Sequence, residues 1–233
     1  MGKVTAIILA AGKGNRMHSD VPKQFLDLCG KPVLYYSLKA FQDSSVDDII
    51  LVTGKDDIAY CENTIIKKYH INKVKAVIEG GAERYWSVKN GLMAAKDTDY
   101  VLIHDAARPC VTVEMIEHSI AAVRRFNACT VGVPVKDTIK VVDCENIGID
   151  TPMRDTLWQI QTPQSFCYDD IVKAYWKMEQ SQNTDITDDT MVMERYSGQK
   201  TKVILGDYRN IKITTPEDLL VAQIFLENLE KSC

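Results

Sequence analysis

Short β-branched runs and helix-periodic segments alternate along more than half of this chain, and few folds can absorb that order. Val4–Ala10 is a continuous aliphatic run, which suits a strand buried on both faces. Further strands are expected at Asp48–Thr53, Val74–Ile78, Tyr100–His104 and Cys129–Val135. Between them, helices are expected at Pro32–Phe41, Asp57–Tyr69, Glu83–Ala95 and Val113–Phe126, with Pro32 at a tolerated first-turn position. This order predicts an α/β fold: a Rossmann-like, mostly parallel sheet with helices on both faces. The 233 residues suit a single domain spanning 1–233, and two full domains would be a tight fit.

The pattern changes at residues 136–150. Thr138–Val142 is β-prone, Cys144–Gly148 has turn character, and Ile149 begins another extended piece. A β-hairpin arm inserted into the α/β run accounts for this. An isolated hairpin is barely stable in water, so it gains most by packing on another subunit, although folding back on its own domain is the alternative. Beyond it, helices are expected at Asp169–Glu179 and Asp189–Tyr196, a strand at Lys202–Leu205, and a closing amphipathic helix at Pro216–Leu229. Thr215 is the candidate N-cap of that helix, with Asp218 completing an imperfect capping box.

A formal charge of −4 leaves no overall field to draw the protein to nucleic acid, so any phosphate-binding cations must be gathered locally. Seven scattered cysteines with no CxxC pair argue against a disulfide framework or a zinc site, and point to reduced thiols in the cytoplasm. No apolar run approaches the roughly 20 residues that span a bilayer. The first apolar run is short and gives way at once to glycines, which fits a buried strand better than a signal peptide. Ala6 stands where a myristoylated Gly2 would call for Ser or Thr.

Chemistry concentrates where such sheets place it, beyond the carboxyl ends of strands. After the first strand come Ala10-Ala11-Gly12-Lys13-Gly14-Asn15-Arg16-Met17 and then Pro22-Lys23-Gln24. Small residues let the backbone approach a phosphate, and Arg16 and Lys23 bring two charges to the same loop. No Gly-Lys-Ser/Thr closes the loop, and Met17 replaces the third glycine of a dinucleotide fingerprint. The glycines alone could equally serve a plain turn.

The fourth strand ends in His104-Asp105-Ala106-Ala107-Arg108-Pro109. Asp105 is a natural hard-oxygen ligand for Mg²⁺ beside substrate phosphates, and otherwise a cap or an ion-pair partner. His104 reads as structural, having no companions at zinc-ligand spacing. Arg108 is expected to orient the Asp105 loop by pairing. Arg154, Thr162-Pro163-Gln164, Thr187-Asp188-Asp189 and Asn210-Ile211-Lys212 come later, and spacing alone does not bring them together. Taken singly, their charged members are ordinary solvated surface residues.

Taken in order, these segments resemble one family. Leu-Ala-Ala-Gly-x-Gly-x-Arg-Met with Pro-Lys-Gln, His-Asp-Ala-Ala-Arg-Pro, Pro-Val-Lys-Asp-Thr-Ile-Lys (134–140) and Arg-x-x-Leu-Trp-x-x-Gln-Thr-Pro-Gln (154–164) occur in turn. Thr-Asp-Asp and Asn-Ile-Lys-Ile-Thr-x-Pro-Glu-Asp-Leu (210–219) follow. The chain resembles, end to end, the 2-C-methyl-D-erythritol 4-phosphate cytidylyltransferases of the non-mevalonate isoprenoid pathway.

The resemblance implies a nucleotide-diphospho-sugar transferase type of fold, Mg²⁺ dependence, and CTP and methylerythritol phosphate as substrates. It also implies a homodimer built through the 136–150 arm. It gives Ala10, Ala11, Gly12, Gly14 and Ala106 to the nucleotide, and Gly81 and Ser87 to cytosine or ribose. Ala82 stands where such enzymes often carry Asp. Arg16, Lys23 and Lys212 would stabilise the transition state, and Asp105 would serve metal and substrate. Arg154, Thr162, Thr187 and Arg108 would hold the acceptor, with Arg154 and Thr162 reaching in from a dimer partner.

Three rivals remain at this point. A ribitol 5-phosphate cytidylyltransferase shares the fold, but His-Asp-Ala-Ala-Arg-Pro, Leu157-Trp158 and Thr187-Asp188-Asp189 disfavour it. A sugar-phosphate nucleotidyltransferase seldom follows the glycine loop with Pro-Lys-Gln and a late Gln-Thr-Pro-Gln. A nucleotide-binding regulator without turnover has no need to keep Arg16, Lys23, Asp105 and Lys212 together.

Overall fold

In a computed structural model, which describes residues 2–12, 14, 17, 21–181 and 185–230, the first aliphatic run forms β1 (Val4–Ala10). It lies between β6 (Tyr100–Asp105) and β4 (Asp48–Thr53), parallel to both. The seven-stranded sheet continues to β5 (Val74–Glu79) on one side. On the other side it runs through β10 (Trp158–Cys167) and β7 (Ala128–Pro134) to β11 (Lys202–Leu205). Strand β10 is antiparallel to both neighbours, and every other pairing in the sheet is parallel.

The period of two along β1 sends side chains into two cores. Val4, Ala6 and Ile8 meet α1 (Val33–Asp43) and α4 (Val113–Phe126) on one face. Ile7 meets α3 (Arg84–Ala94) and α5 (Tyr168–Ser181) on the other. The buried Leu34, Leu38 and Phe41 of α1 show the helical spacing that lets one stripe face the sheet. This is the mostly parallel α/β architecture that the alternation predicts, with helices on both faces.

Strand β10 is the element that periodicity does not disclose. Its polar Gln159, Gln161 and Gln164 hide the strand, and Pro163 argues against a central one. The structure accommodates the proline at an irregularity. Ile160 pairs with Gly132 and Gln164 with Thr130, so residues 161–163 stand against the single Val131. The ladder is broken where Pro163 has no N–H to give.

Smaller differences have local causes. Pro32 belongs to β3 (Lys31–Pro32), paired with β2 (Asp27–Leu28), and α1 begins one residue later. The helix expected over Asp57–Tyr69 divides into a 3-10 turn at Lys55–Asp57, α2 (Ile58–Tyr60) and a π turn at Cys61–Ile66. There the Lys67 N–H donates to Glu62 O, five residues back, while Cys61 and Ile65 stay buried. At α7 (Pro216–Glu230) Asp218 accepts from the N–H groups of Thr214 and Thr215, so the reaching-back half of the capping box is present. The 136–150 segment carries β8 (Val141–Val142) paired with β9 (Gly148–Asp150), shorter than expected and exposed throughout.

Candidate active site

Leu9 and Asp105 are register partners, so the loops after β1 and β6 leave the sheet side by side. Between them opens a crevice of roughly 540 Å³, whose walls include Ala10, Ala11, Gly12, Lys23 and Asp105. A Cβ placed on Gly12 would meet nothing within 4 Å among the described residues. Packing against the described residues therefore does not account for glycine there, and the crevice before its backbone suits a bulky anion. Gly14 has a φ of +63°, the left-handed region that glycine enters without strain, and its carbonyl accepts from the Met17 N–H at 2.8 Å. Arg16 lies outside the described residues.

The far wall is built by close approach. A Cβ on Gly80 would come within 2.4 Å of that of Ala11, and one on Gly81 within 2.2 Å of that of Trp86. The Ser87 hydroxyl accepts from the Gly81 N–H at 3.0 Å and donates to Glu83 O. Gly81 and Ser87 thus line the crevice as one braced turn, with exposed Ala82 between Gly81 and Glu83 on its rim.

Lys212 reaches the same crevice because its segment is stitched down on three sides. Asn210 donates to Thr162 O at 2.9 Å, the Ile213 N–H donates to Ala107 O at 2.8 Å, and the Lys23 ammonium donates to Ile213 O at 2.8 Å. Lys212 then donates to Asp105 Oδ2 at 2.7 Å. Arg84 donates to Asp105 Oδ1 at 3.1 Å. Burial opposes charge on Asp105, but Arg84, Lys212 and Arg108 outweigh it and hold the carboxyl well below its usual range. Asp105 is therefore ionised at any working pH.

Arg84, between Gly81 and Ser87, carries no role that the sequence alone discloses. An arginine one residue past a turn looks like a surface charge until the fold shows a carboxylate on either side. Arg108 braces the Asp105 loop through its backbone N–H, which donates to Asp105 O at 3.0 Å, while its side chain makes no salt bridge with the Asp105 carboxylate among the described residues. Its guanidinium donates to Asn210 O at 2.8 Å, and its buried Nε has no partner among the described residues.

A second hollow of roughly 140 Å³ adjoins the first and shares Arg84, Asp105 and Lys212 with it. Arg108, Thr162 and Thr187 also line it. Here the structure corrects the position of Thr162. Its hydroxyl accepts from the Asp105 N–H at 3.1 Å and lies 2.9 Å from His104 Nδ1 of its own chain, so it is not a residue delivered by a partner. Arg154 lines neither hollow; it is exposed at the foot of the arm, its guanidinium 3.5 Å from Lys136 O.

His104 is fully buried behind Asp105. His104 Nε2 faces Arg108 O at 3.3 Å, a carbonyl that can only accept, so the ring proton belongs on Nε2 and Nδ1 accepts from the Thr162 hydroxyl at 2.9 Å. Burial pushes His104 down to about 4, so the ring is neutral. No group of three or more His, Cys, Asp or Glu side chains placed to hold a metal occurs among the described residues.

Comparison with known proteins settles the family. Residues 4–228 match the 2-C-methyl-D-erythritol 4-phosphate cytidylyltransferase family. The chain belongs to this family. Proteins of that name from Clostridium novyi and Lachnospira eligens are 48% and 52% identical, over 100% and 96% of this chain and 100% and 99% of theirs. A solved structure described as 4-diphosphocytidyl-2C-methyl-D-erythritol synthase, from Anaerococcus prevotii, superposes with a TM-score of 0.86 at 35% identity, covering 97% of this chain and 96% of that one. As a cytidylyltransferase-family member, the chain has a glycine loop, a strand-end aspartate and a late lysine that converge from opposite ends of the sequence.

Proposed function

We propose that the larger crevice holds CTP and the smaller hollow the acceptor phosphate, with reaction at their shared wall of Arg84, Asp105 and Lys212. The protein transfers the cytidylyl group of CTP to 2-C-methyl-D-erythritol 4-phosphate, giving 4-diphosphocytidyl-2-C-methyl-D-erythritol and pyrophosphate. The observation that carries the site assignment is that two cation-lined hollows, the larger of them also walled by Gly12 and Gly81, meet at the same three charged side chains.

An acceptor phosphate oxygen attacks the α-phosphorus of CTP as the bond to the β-phosphate oxygen breaks, and pyrophosphate leaves with that oxygen. The attacking monoester is already anionic, so no general base is required; positioning and charge stabilisation suffice. Backbone groups of Ala11, Gly12 and Gly14 cradle the triphosphate, and Gly81 and Ser87 face the nucleoside. Lys23, Arg16 and Lys212 offset the charge that develops, and Arg108 and Thr187 hold the acceptor.

Mg²⁺ suits the donor set: the ionised Asp105 supplies one hard oxygen, and a cation that keeps few protein ligands takes the rest from phosphates and water. Bound there, it would neutralise phosphate charge and help the leaving group. The exposed arm, with Ile147 and Ile149 about 60% accessible, supports a homodimer in which Arg154 reaches the partner's acceptor hollow. We place the reaction in the cytoplasm. Burial pushes the Cys61 thiol up to about 11 and those of Cys110 and Cys129 to about 12, which suits thiols that stay reduced.

The test is pyrophosphate release with CTP, Mg²⁺ and either methylerythritol 4-phosphate or ribitol 5-phosphate. Release with the first alone is expected. Release with the second alone would overturn the acceptor, and CTP binding with no release from either would point to a regulator. Lys23→Ala and Arg16→Ala should each lower turnover by about 10²-fold, and near-normal rates in both would sink their roles.

A further inference from the structure

Behind Arg84 lies a second carboxylate that the reaction itself does not use. Asp189 opens α6 (Asp189–Ser197) and has no exposure to solvent. Its Oδ1 accepts from Arg84 Nη1 at 2.9 Å and its Oδ2 from Arg84 Nη2 at 2.8 Å. The Tyr175 hydroxyl donates to Oδ1 at 2.6 Å. Gln164 completes the mount: its Oε1 accepts from the N–H groups of Asp189 and Thr190, and its Nε2 donates to Asp188 at 2.8 Å. Each of these side chains is buried or half-buried, and none is a bystander on the surface.

The arrangement has a consequence for Asp105. An arginine fork prefers to grip a carboxylate with two parallel N–H groups. Arg84 gives that paired grip to Asp189 and meets Asp105 through Nε alone. The edges of a planar guanidinium lie at fixed angles, so the grip on Asp189 sets the direction from which Arg84 Nε meets Asp105. The other Asp105 oxygen accepts from Lys212.

We propose that Asp189 and Arg84 are positioning residues, a buried clamp in which Asp189 orients the Arg84 guanidinium and so fixes Asp105 between the two substrate hollows. This inference rests on the cytidylyl-transfer reading of the site. The clamp also ties α6 to the wall, and Thr187, two residues before Asp189, lines the acceptor hollow. Geometry on the acceptor side and geometry at Asp105 are therefore set by one mount.

The experiment compares wild type with Asp189→Asn, Arg84→Lys, their double variant, and Tyr175→Phe. It measures kcat, KM for CTP and KM for the acceptor separately, alongside a crystal structure of Asp189→Asn. Expected is a fall in kcat of about tenfold or more for Asp189→Asn, with KM for CTP within about threefold of wild type. The double variant should be no slower than Arg84→Lys, because both changes break one device. Tyr175→Phe, which removes one hydroxyl and keeps the fold, should lower kcat in the same direction but less.

Effects that multiply independently, a change in KM for CTP alone, or an unchanged kcat in both Asp189→Asn and Tyr175→Phe would overturn the clamp. So would a structure of Asp189→Asn in which Arg84 and Lys212 still each hold one Asp105 oxygen. If Asp189→Asn does not fold, Arg84→Lys and Tyr175→Phe decide the matter by the same split. A wild type silent with CTP and both polyol phosphates would refute the proposed function, while the structure of the variant would still judge the clamp.

Discussion

Acidification should destabilise this protein through His104 before it touches the catalytic carboxylate. Burial holds His104 at about 4 against a free value of 6.5, while Asp105 pulls it up and Arg108 pushes it down by smaller amounts. Because the folded value lies below the unfolded one, the neutral ring contributes fully above pH 6.5. That contribution is lost as pH falls towards 4, where the unfolded chain binds a proton that the native state refuses. At about 1.4 kcal/mol per pH unit, the whole window is worth about 3 kcal/mol, and acidification to about pH 5 removes about 2 kcal/mol of it. Urea unfolding of wild type and His104→Asn, near pH 7.5 and near pH 5, measures this directly. The variant should begin less stable, having lost the Thr162 and Arg108 partners, but lose about 2 kcal/mol less than wild type between the two conditions. Equal losses in both proteins would refute the burial argument, and a histidine titrating near its free value by NMR would refute it independently.

Asp105→Asn should abolish most turnover, and the stability gap from wild type should narrow only below about pH 4, since a carboxyl held low contributes above its unfolded value and loses that contribution in acid; parallel unfolding curves check it. Gly14→Ala forces a left-handed φ on a residue with a Cβ that would press on the Lys23 side chain at 3.2–3.4 Å. It should lower stability by about 1 kcal/mol and raise KM for CTP more than it lowers kcat. Replacing Ile147 and Ile149 by Ser on both arms should weaken the proposed dimer by about 10⁴-fold, taking about 1.5 kcal/mol for each of the four isoleucines buried on association, as sedimentation would read.

The parallel half of the sheet was legible because its strands are buried on both faces and read as unbroken aliphatic runs. Val4–Ala10 and Asp48–Thr53 have the same bounds in sequence and structure. Strand β10 was not, because its inward polar residues serve the site: Thr162 braces Asp105, and Gln164 mounts α6. Residues that serve function broke the pattern by which strands are found. The same holds within the site. Gly12, Lys23 and Asp105 announce themselves by local motif, whereas Arg84 and Asp189 are 105 positions apart and acquire meaning only when the sheet brings them together.

A chain with a formal charge of −4 must still receive two polyanions. Lys23, Arg84, Arg108 and Lys212 supply that attraction at the hollows, and four cations gathered so closely would repel one another if nothing separated them. Asp105 and Asp189 perform that separation, one at the wall and one behind it. Asp189 is sealed from the hollows, so its compensation is permanent, whereas Asp105 lines both hollows and can face substrate. The difference in burial between the two carboxylates therefore divides a structural role from a reactive one. Exchanging their accessibility, not merely their charge, would disable the site. A substitution that lets water reach Asp189, such as Tyr175→Ala, should thus lower kcat more than Tyr175→Phe does, even at a temperature where both variants are fully folded.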